Sequence, residues 1–209
     1  MITVVDYGMG NLRSVSKALE HLGAACAVTS DPRQVERADK LILPGVGAFD
    51  AAMQELTSRQ LVEPIKAAIA KGTPYLGICL GLQLLFEESE EGAGARGFGC
   101  LRGKVRRFPE RPATRASQTR LKIPHMGWNQ VISTQHGCPL LKGIPDRSYF
   151  YFVHSYYADP AERDLVALEA DHGVSFAAMV WRGNLFATQF HPEKSQALGL
   201  ELLRRFIDL

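Results

Sequence analysis

Residues Tyr75-Leu76-Gly77-Ile78-Cys79-Leu80-Gly81 constrain the fold more than any other stretch of this 209-residue chain. A short apolar run, Tyr75 to Ile78, enters Gly-x-Cys-x-Gly and passes at once into the apolar start of a helix ending near Phe86. A strand that turns so sharply into a helix needs glycine on both sides of the turning residue, because neighbouring backbone leaves no room for a Cβ. The turn lifts the Cys79 side chain above the sheet and sets it at a helix N-terminus, where partial positive charge favours thiolate over thiol. Cys79 is therefore a candidate nucleophile. A cysteine between apolar strand and helix is also commonly inert core, so the elbow alone leaves both readings open.

The chain before the elbow alternates strands and helices. Ile2 to Val5 reads as a buried strand, followed by the turn Tyr7-Gly8-Met9-Gly10-Asn11 and a helix with Leu12, Val15, Leu19 and Leu22 on one face, ended by Gly23. Ala25 to Thr29 is a second strand, Asp31-Pro32 opens a short helix, and Lys40 to Leu43 is a third strand leading into Pro44-Gly45-Val46-Gly47. Helical periodicity resumes from Phe49 to Ala70, with an interruption expected near Pro64. This alternation predicts the α/β class: a flavodoxin-like, mostly parallel sheet with helices on both faces and functional groups at the carboxyl ends of its strands.

Beyond the elbow helix the pattern changes. Glu87-Glu88-Ser89-Glu90-Glu91 reads as a solvated helix end. Strand-like pieces then follow without helices between them: Gly103 to Phe108, Trp128 to Ile132, Tyr149 to Tyr157, Leu165 to Leu168, Ser175 to Trp181 and Asn184 to Phe190. They predict an additional antiparallel strand layer in the C-terminal half, with Arg182-Gly183-Asn184 as a turn. Ser195 to Leu209 is a last helix with Leu198, Leu202, Phe206 and Leu209 on one side, and Pro109 to Lys122 is a basic, proline-containing exposed loop.

Composition narrows the function classes. A length of 209 residues with 46% hydrophobic content suits a single domain over residues 1–209. Lys+Arg of 24 against Asp+Glu of 22 leaves +2, which gives no electrostatic reason to expect nucleic acid. Cys26, Cys79, Cys100 and Cys138 form no Cys-x-x-Cys pair, so neither a metal site nor a disulfide framework is expected, and a reduced, cytoplasmic setting fits. Met1 to Asp6 lacks the basic region of a signal peptide. The longest uncharged stretch, Ile123 to Leu141, is interrupted by Pro124, Gly127, Asn129, Gln130 and Pro139, so no membrane helix is expected.

A second cluster lies far downstream, in Gln189-Phe190-His191-Pro192-Glu193-Lys194. Residues two apart in an extended segment point the same way, so His191 and Glu193 are expected on one side, with Pro192 ending the strand pairing. An imidazole oriented by a carboxylate supplies the second and third members of a triad whose first member is a nucleophile, and Cys79, His191 and Glu193 are the natural assignment. The plainer alternative is a satisfied strand-end histidine and a capping acid before Ser195. Attack by sulfur on a carbonyl also needs donors for the developing oxyanion: the N–H of Leu80, and a peptide of the glycine-rich turn at Gly45 and Val46, which can flip. By itself that turn is an ordinary strand-to-helix connection.

Gly-Ile-Cys-Leu-Gly-Leu-Gln at Gly77 to Gln83, Pro-Gly-Val-Gly at Pro44 to Gly47 and His-Pro-Glu-Lys-Ser at His191 to Ser195 resemble the triad (class I) glutamine amidotransferases. Pro-His-Met-Gly-Trp-Asn at Pro124 to Asn129 and Phe-Val-His-Ser-Tyr at Phe152 to Tyr156 resemble, more narrowly, the glutaminase subunits that serve a cyclase of histidine biosynthesis. The likeness runs from Tyr7 to the final helix. It implies that Cys79 attacks the side-chain amide of glutamine, that His191 moves the proton to departing ammonia, and that Glu193 orients His191, with no cofactor. It further implies that Gly47, Gln83, Glu91, Ser155 and Tyr156 surround the bound glutamine, although Glu91 has the rival reading of a solvated acid. The resemblance also implies a one-to-one heterodimer with a barrel-fold cyclase/synthase subunit, which receives ammonia through a channel and switches the glutaminase on. Asn11, Met126, Trp128, Asn129 and Lys194 match positions facing that partner, Trp128 having a core aromatic as its alternative. The segment Pro109 to Lys122 is longer than the family pattern. A stand-alone thiol hydrolase, an amidotransferase domain serving another synthase and a non-catalytic binding module are the rival functions; the last has no need of all three triad residues.

Overall fold

The computed structural model describes residues 1–92, 94–110, 122–135 and 137–209; most of the basic loop predicted over 109–122 lies outside them. In chain order the elements are β1 (Ile2–Val5), α1 (Leu12–His21), β2 (Cys26–Thr29), α2 (Pro32–Glu36), β3 (Lys40–Gly45), α3 (Phe49–Ser58), α4 (Val62–Lys71), β4 (Tyr75–Cys79) and α5 (Leu80–Gln83). There follow β5 (Glu88–Ser89), β6 (Ala95–Arg96), β7 (Gly103–Arg107), β8 (His125–Ser133), β9 (Tyr149–His154), β10 (Tyr156–Pro160), β11 (Val166–Asp171), β12 (Ser175–Arg182), β13 (Leu185–Thr188) and α6 (Gln196–Ile207). Among the described residues nine strands form one sheet, in the order β2-β1-β3-β4-β13-β12-β11-β8-β9. Its first five strands run parallel in the doubly wound order, and the next four continue the same sheet antiparallel. A smaller sheet, β10-β7-β5-β6, stands apart.

The alternation of side chains along the parallel strands divides the core in two. Val5, Leu41, Leu43 and Tyr75 face α2, α3 and α4 and pack with Val35, Phe49, Leu56 and Ile65. Val4, Ile42, Leu76 and Ile78 face α1 and α6 and pack with Val15, Leu19, Leu202 and Phe206. These side chains are almost wholly removed from water, each contributing about 1.5–3 kcal/mol of transfer free energy. Burial on both faces makes the central strands continuous apolar runs and leaves the strand ends as the place for polar chemistry.

Several expectations need correction. Pro64 does not interrupt a helix: it sits in the first turn of α4, where a missing N–H costs nothing, and the break is at Arg59–Leu61, with Gln60 at φ +56°. The elbow helix is a single turn. The carbonyls of Leu84, Leu85 and Phe86 accept from Phe98, Leu101 and Gly99 instead of the next helical turn, and a Cβ on Gly97 would lie 2.3 Å from the Phe86 oxygen. Glu87 to Glu91 is consequently not a helix end but encloses the short strand β5; Glu87 and Glu90 accept from the backbone N–H groups of Gly103 and Arg107. The segment Tyr149 to Tyr157 is broken at Ser155, where the chain leaves β8 in the large sheet and joins β7 in the small one. Lastly, β13 ends at Thr188 and Pro192–Lys194 is a 3₁₀ turn, so strand alternation is not what brings His191 to Glu193.

Candidate active site

The ends of β1, β3, β4 and β13 converge, and the parallel register puts Gly45 directly beside Cys79 and Thr188 beside Ile78. Cys79 occupies φ +55°, ψ −104°, a conformation that a non-glycine residue adopts only when its surroundings enforce it. The flanking glycines explain how. A Cβ on Gly77 would lie 2.5 Å from the Gly81 oxygen, one on Gly81 would lie 2.0 Å from the Leu43 oxygen, and one on Gly45 would meet the Tyr7 hydroxyl at 2.5 Å. The one-turn α5 has too few aligned peptides for a full helix dipole, so the nearby imidazole is the stronger partner for negative charge on sulfur.

The 3₁₀ turn beyond β13 carries that imidazole. His191 Nδ1 is 2.9 Å from Glu193 Oε1, and both side chains are almost completely buried. The turn is tied down by Ser195, whose hydroxyl donates to the His191 carbonyl at 2.7 Å and accepts from the Tyr151 N–H at 3.0 Å. His191 Nε2 is buried with no protein hydrogen-bond partner. Burial works against charge on this ring, yet the Cys79 sulfur and then the Glu193 carboxylate outweigh it and raise its pKa to about 10. With Nδ1 held by the carboxylate, Nε2 is the ring atom left for the sulfur. Sγ has two further polar neighbours, the Val153 carbonyl at 3.9 Å and Gln189 Nε2 at 3.7 Å.

A cavity of about 310 Å³ opens over the sulfur, lined by Val46, Gly47, Cys79, Leu80, Gln83 and Glu91 on one side and by Pro124 and the Val153–Tyr156 segment on the other. It lies at the small end of the ~300–1,000 Å³ range of ligand pockets, a size suited to a single amino acid. Every residue expected around glutamine borders it: Gly47, Gln83, Glu91, Ser155 and Tyr156. Glu91 is half-buried, not solvated; its Oε2 accepts from the Phe49 N–H at the start of α3, at 2.9 Å. Burial raises its pKa, opposed by that hydrogen bond. The expected oxyanion donors sit at the same mouth, Gly45 beside the sulfur-bearing residue and Val46 and Leu80 in the lining.

The residues expected to face a partner spread around this edge. Met126 and Trp128 alternate along β8 and are 63% and 46% exposed, which removes the core reading of the tryptophan. Trp128 packs edge-on against Tyr151, and Lys194 Nζ lies 6.0 Å from the centre of the same ring. Asn11 starts α1 without using its side chain as a cap. Asn129, part-exposed, ties its amide to the chain, donating to the Asp171 carbonyl at 2.8 Å and lying 3.2 Å from His125 Nε2.

Sequence reasoning missed His154, Gln189 and Tyr7. His154 forms part of the cavity wall, Gln189 touches the sulfur, and the buried Tyr7 hydroxyl beside Gly45 has no hydrogen-bond partner. Burial, followed by the Cys79 charge, holds that phenol well above the usual tyrosine range. All three stand in motifs already noticed; a fully buried amide one residue before Phe190-His191 is a signal only once its partners are known.

Residues 3–209 match the family model "Glutamine amidotransferase class-I". The chain belongs to that family. It is 52% identical over 209 residues, the full length of both chains, to "Imidazole glycerol phosphate synthase subunit HisH" of Syntrophotalea carbinolica. The protein of the same name from Rhodopirellula baltica is 54% identical over 206 residues, covering 99% of this chain and 96% of that one. Among solved structures, a glutamine amidotransferase superposes with TM-score 0.73 at 18% identity, over 100% of this chain and 98% of that chain. PurLQS from Thermotoga maritima gives 0.69 at 19% identity, over 99% and 97%. These two share the fold.

Proposed function

We propose that this chain is the glutaminase subunit of an imidazole glycerol phosphate synthase, releasing ammonia from glutamine for a partner subunit in histidine biosynthesis. The observation that carries the reading is the buried His191–Glu193 pair, 2.9 Å apart, together with Cys79 in the wall of an amino-acid-sized cavity. His191 Nε2 takes the thiol proton, Sγ attacks the side-chain amide carbon, and the same proton passes to the departing ammonia. Water then cleaves the thioester, giving glutamate and restoring the thiol. Glu193 keeps a proton on Nδ1 and thereby leaves Nε2 to work on sulfur and substrate.

The amide oxygen becomes negative in the tetrahedral intermediate, and the Leu80 N–H with a peptide at Gly45–Val46 supplies its donors. The neighbouring Gly47, at φ +103°, gives that turn the freedom to rotate a peptide. Gln83, Ser155 and Tyr156 offer polar groups to the substrate, and the half-buried Glu91 suits its α-ammonium. The thiol route requires neither metal nor organic cofactor. Met126, Trp128 and Lys194, with Asn11 and Asn129, form the face for a barrel-fold cyclase subunit in a one-to-one pair; the half-exposed tryptophan is its anchor. Residues 1–209 act as one amidotransferase domain in the cytoplasm, and none of the described helices is long and apolar enough to cross a membrane.

Glutamate production tests this directly, measured for the chain alone, with the barrel subunit, and with that subunit plus its ribotide ligand. The expected order is slow, faster, fastest. Steady hydrolysis of amides or esters by the isolated chain, indifferent to the barrel subunit, would make it a stand-alone thiol hydrolase instead.

A further inference from the structure

Two amide side chains, Gln189 and Gln83, are brought together beside the Cys79 sulfur, and both are buried. Gln189 is 0% exposed and Gln83 4%, both in an apolar setting where an unpaired amide would be costly. Gln189 Nε2 donates to Cys79 Sγ at 3.7 Å. Gln83 Nε2 donates to Gln189 Oε1 at 3.1 Å and to the Tyr156 carbonyl at 2.9 Å.

The sense of each amide follows from the carbonyl at the end of the chain. A backbone oxygen only accepts, so the atom of Gln83 facing Tyr156 must be the nitrogen. The second hydrogen of that nitrogen is then aimed at Gln189, which must answer with its oxygen, and Gln189 is left presenting N–H to the sulfur. The Tyr156 carbonyl is itself held by His154 Nδ1 at 2.8 Å. His154 Nε2 lies 2.9 Å from His125 Nδ1, and His125 Nε2 lies 3.2 Å from Asn129 Nδ2. That asparagine nitrogen also donates to the Asp171 carbonyl, so acceptor-only oxygens fix both ends and every tautomer between them.

We propose that Gln189 is a further catalytic residue: its amide N–H bonds the Cys79 sulfur and stabilises negative charge there, while Gln83 acts as the positioning residue that keeps the amide in that sense. The role rests on Cys79 being the nucleophile. When His191 Nε2 takes the thiol proton, the negative charge left on Sγ meets the Gln189 hydrogen on another side. The same hydrogen bond assists when the C–S bond of the acyl-enzyme breaks and the electron pair returns to sulfur. No proton moves through Gln189 itself.

The test uses two substitutions, each assayed in the complex with the barrel subunit. Gln189→Met removes the donor at similar length, and Gln189→Glu keeps an oxygen towards Gln83 while replacing the donor. For either variant that folds, kcat for glutamine should fall about ten- to a hundredfold, as expected for a hydrogen bond to a charged group, with KM within about twofold. Alkylation of Cys79 by iodoacetamide at neutral pH should slow with it. A folded variant that turns over and alkylates like the parent overturns the assignment, whatever happens to its melting temperature. Cys79→Ala separates the two levels. If it still hydrolyses glutamine, the nucleophile reading itself fails; if it is dead while the Gln189 variants behave like the parent, only the role of Gln189 falls.

Discussion

Gly81 has the least room of the elbow residues, since a Cβ there would lie 2.0 Å from the Leu43 carbonyl oxygen on the neighbouring strand. Backbone cannot give way as a flexible side chain can, so Gly81→Ala should cost at least about 3 kcal/mol, read as a lower urea midpoint. Cys79 poses the opposite case. At φ +55° it is strained, and Cys79→Gly should be more stable than Cys79→Ala by about 0.5–1 kcal/mol; equal midpoints would contradict the strain. Both effects were legible in the sequence, because Gly-x-Cys-x-Gly states a local steric requirement within five residues. Gln189 was not. Its importance comes from Cys79, Gln83 and Tyr156, which lie far from it in the chain, and no local pattern announces them.

The first strands and helices were legible for a similar reason: β1, β3 and β4 are buried on both faces and read as apolar runs, with amphipathic helices between them. The second half was less so, since an antiparallel strand's neighbours are set by long-range pairing. Nothing around Ser155 says that one strand-like run serves two sheets. That corner also creates the His125–His154 pair, which has a measurable consequence. Burial lowers the pKa of His154 to about 3 and that of His125 to about 4, against about 6.5 in an unfolded chain. The unfolded state therefore takes up the proton first, so this stability is intact above pH 6.5 and lost as pH falls towards these values. His154 alone should cost up to about 1.4 kcal/mol per pH unit in that window, and His125 adds a smaller amount. His191 is opposite in sign: with its pKa raised to about 10, its contribution is complete below pH 6.5 and lost as pH climbs towards 10. Melting temperatures from pH 3.5 to 7 should fall on the acid side, and His154→Gln should flatten that fall. An unchanged acid slope in the variant would contradict the assignment. Glu91→Ala should cost about 1 kcal/mol by uncovering the Phe49 N–H at the start of α3, and should raise KM for glutamine without a matching loss of kcat.

For the molecule as a whole, the parallel strand ends gather the sulfur, the imidazole and the cavity at one edge, and the Trp128 face continues outward from it. On the proposed reading, a partner seated on that face would adjoin the reacting groups directly. Trp128→Ala should weaken association with the barrel subunit by about tenfold or more while leaving the melting temperature of the isolated chain nearly unchanged. Loss of stability without loss of affinity would return the tryptophan to a packing role. The most direct measurement is synthesis by the reconstituted complex carrying Cys79→Ala, supplied either with glutamine or with an ammonium salt. Glutamine should support no product and ammonium should support the parental rate. Product from glutamine, or failure with both nitrogen sources in a folded, assembled complex, would contradict release of ammonia by this sulfur.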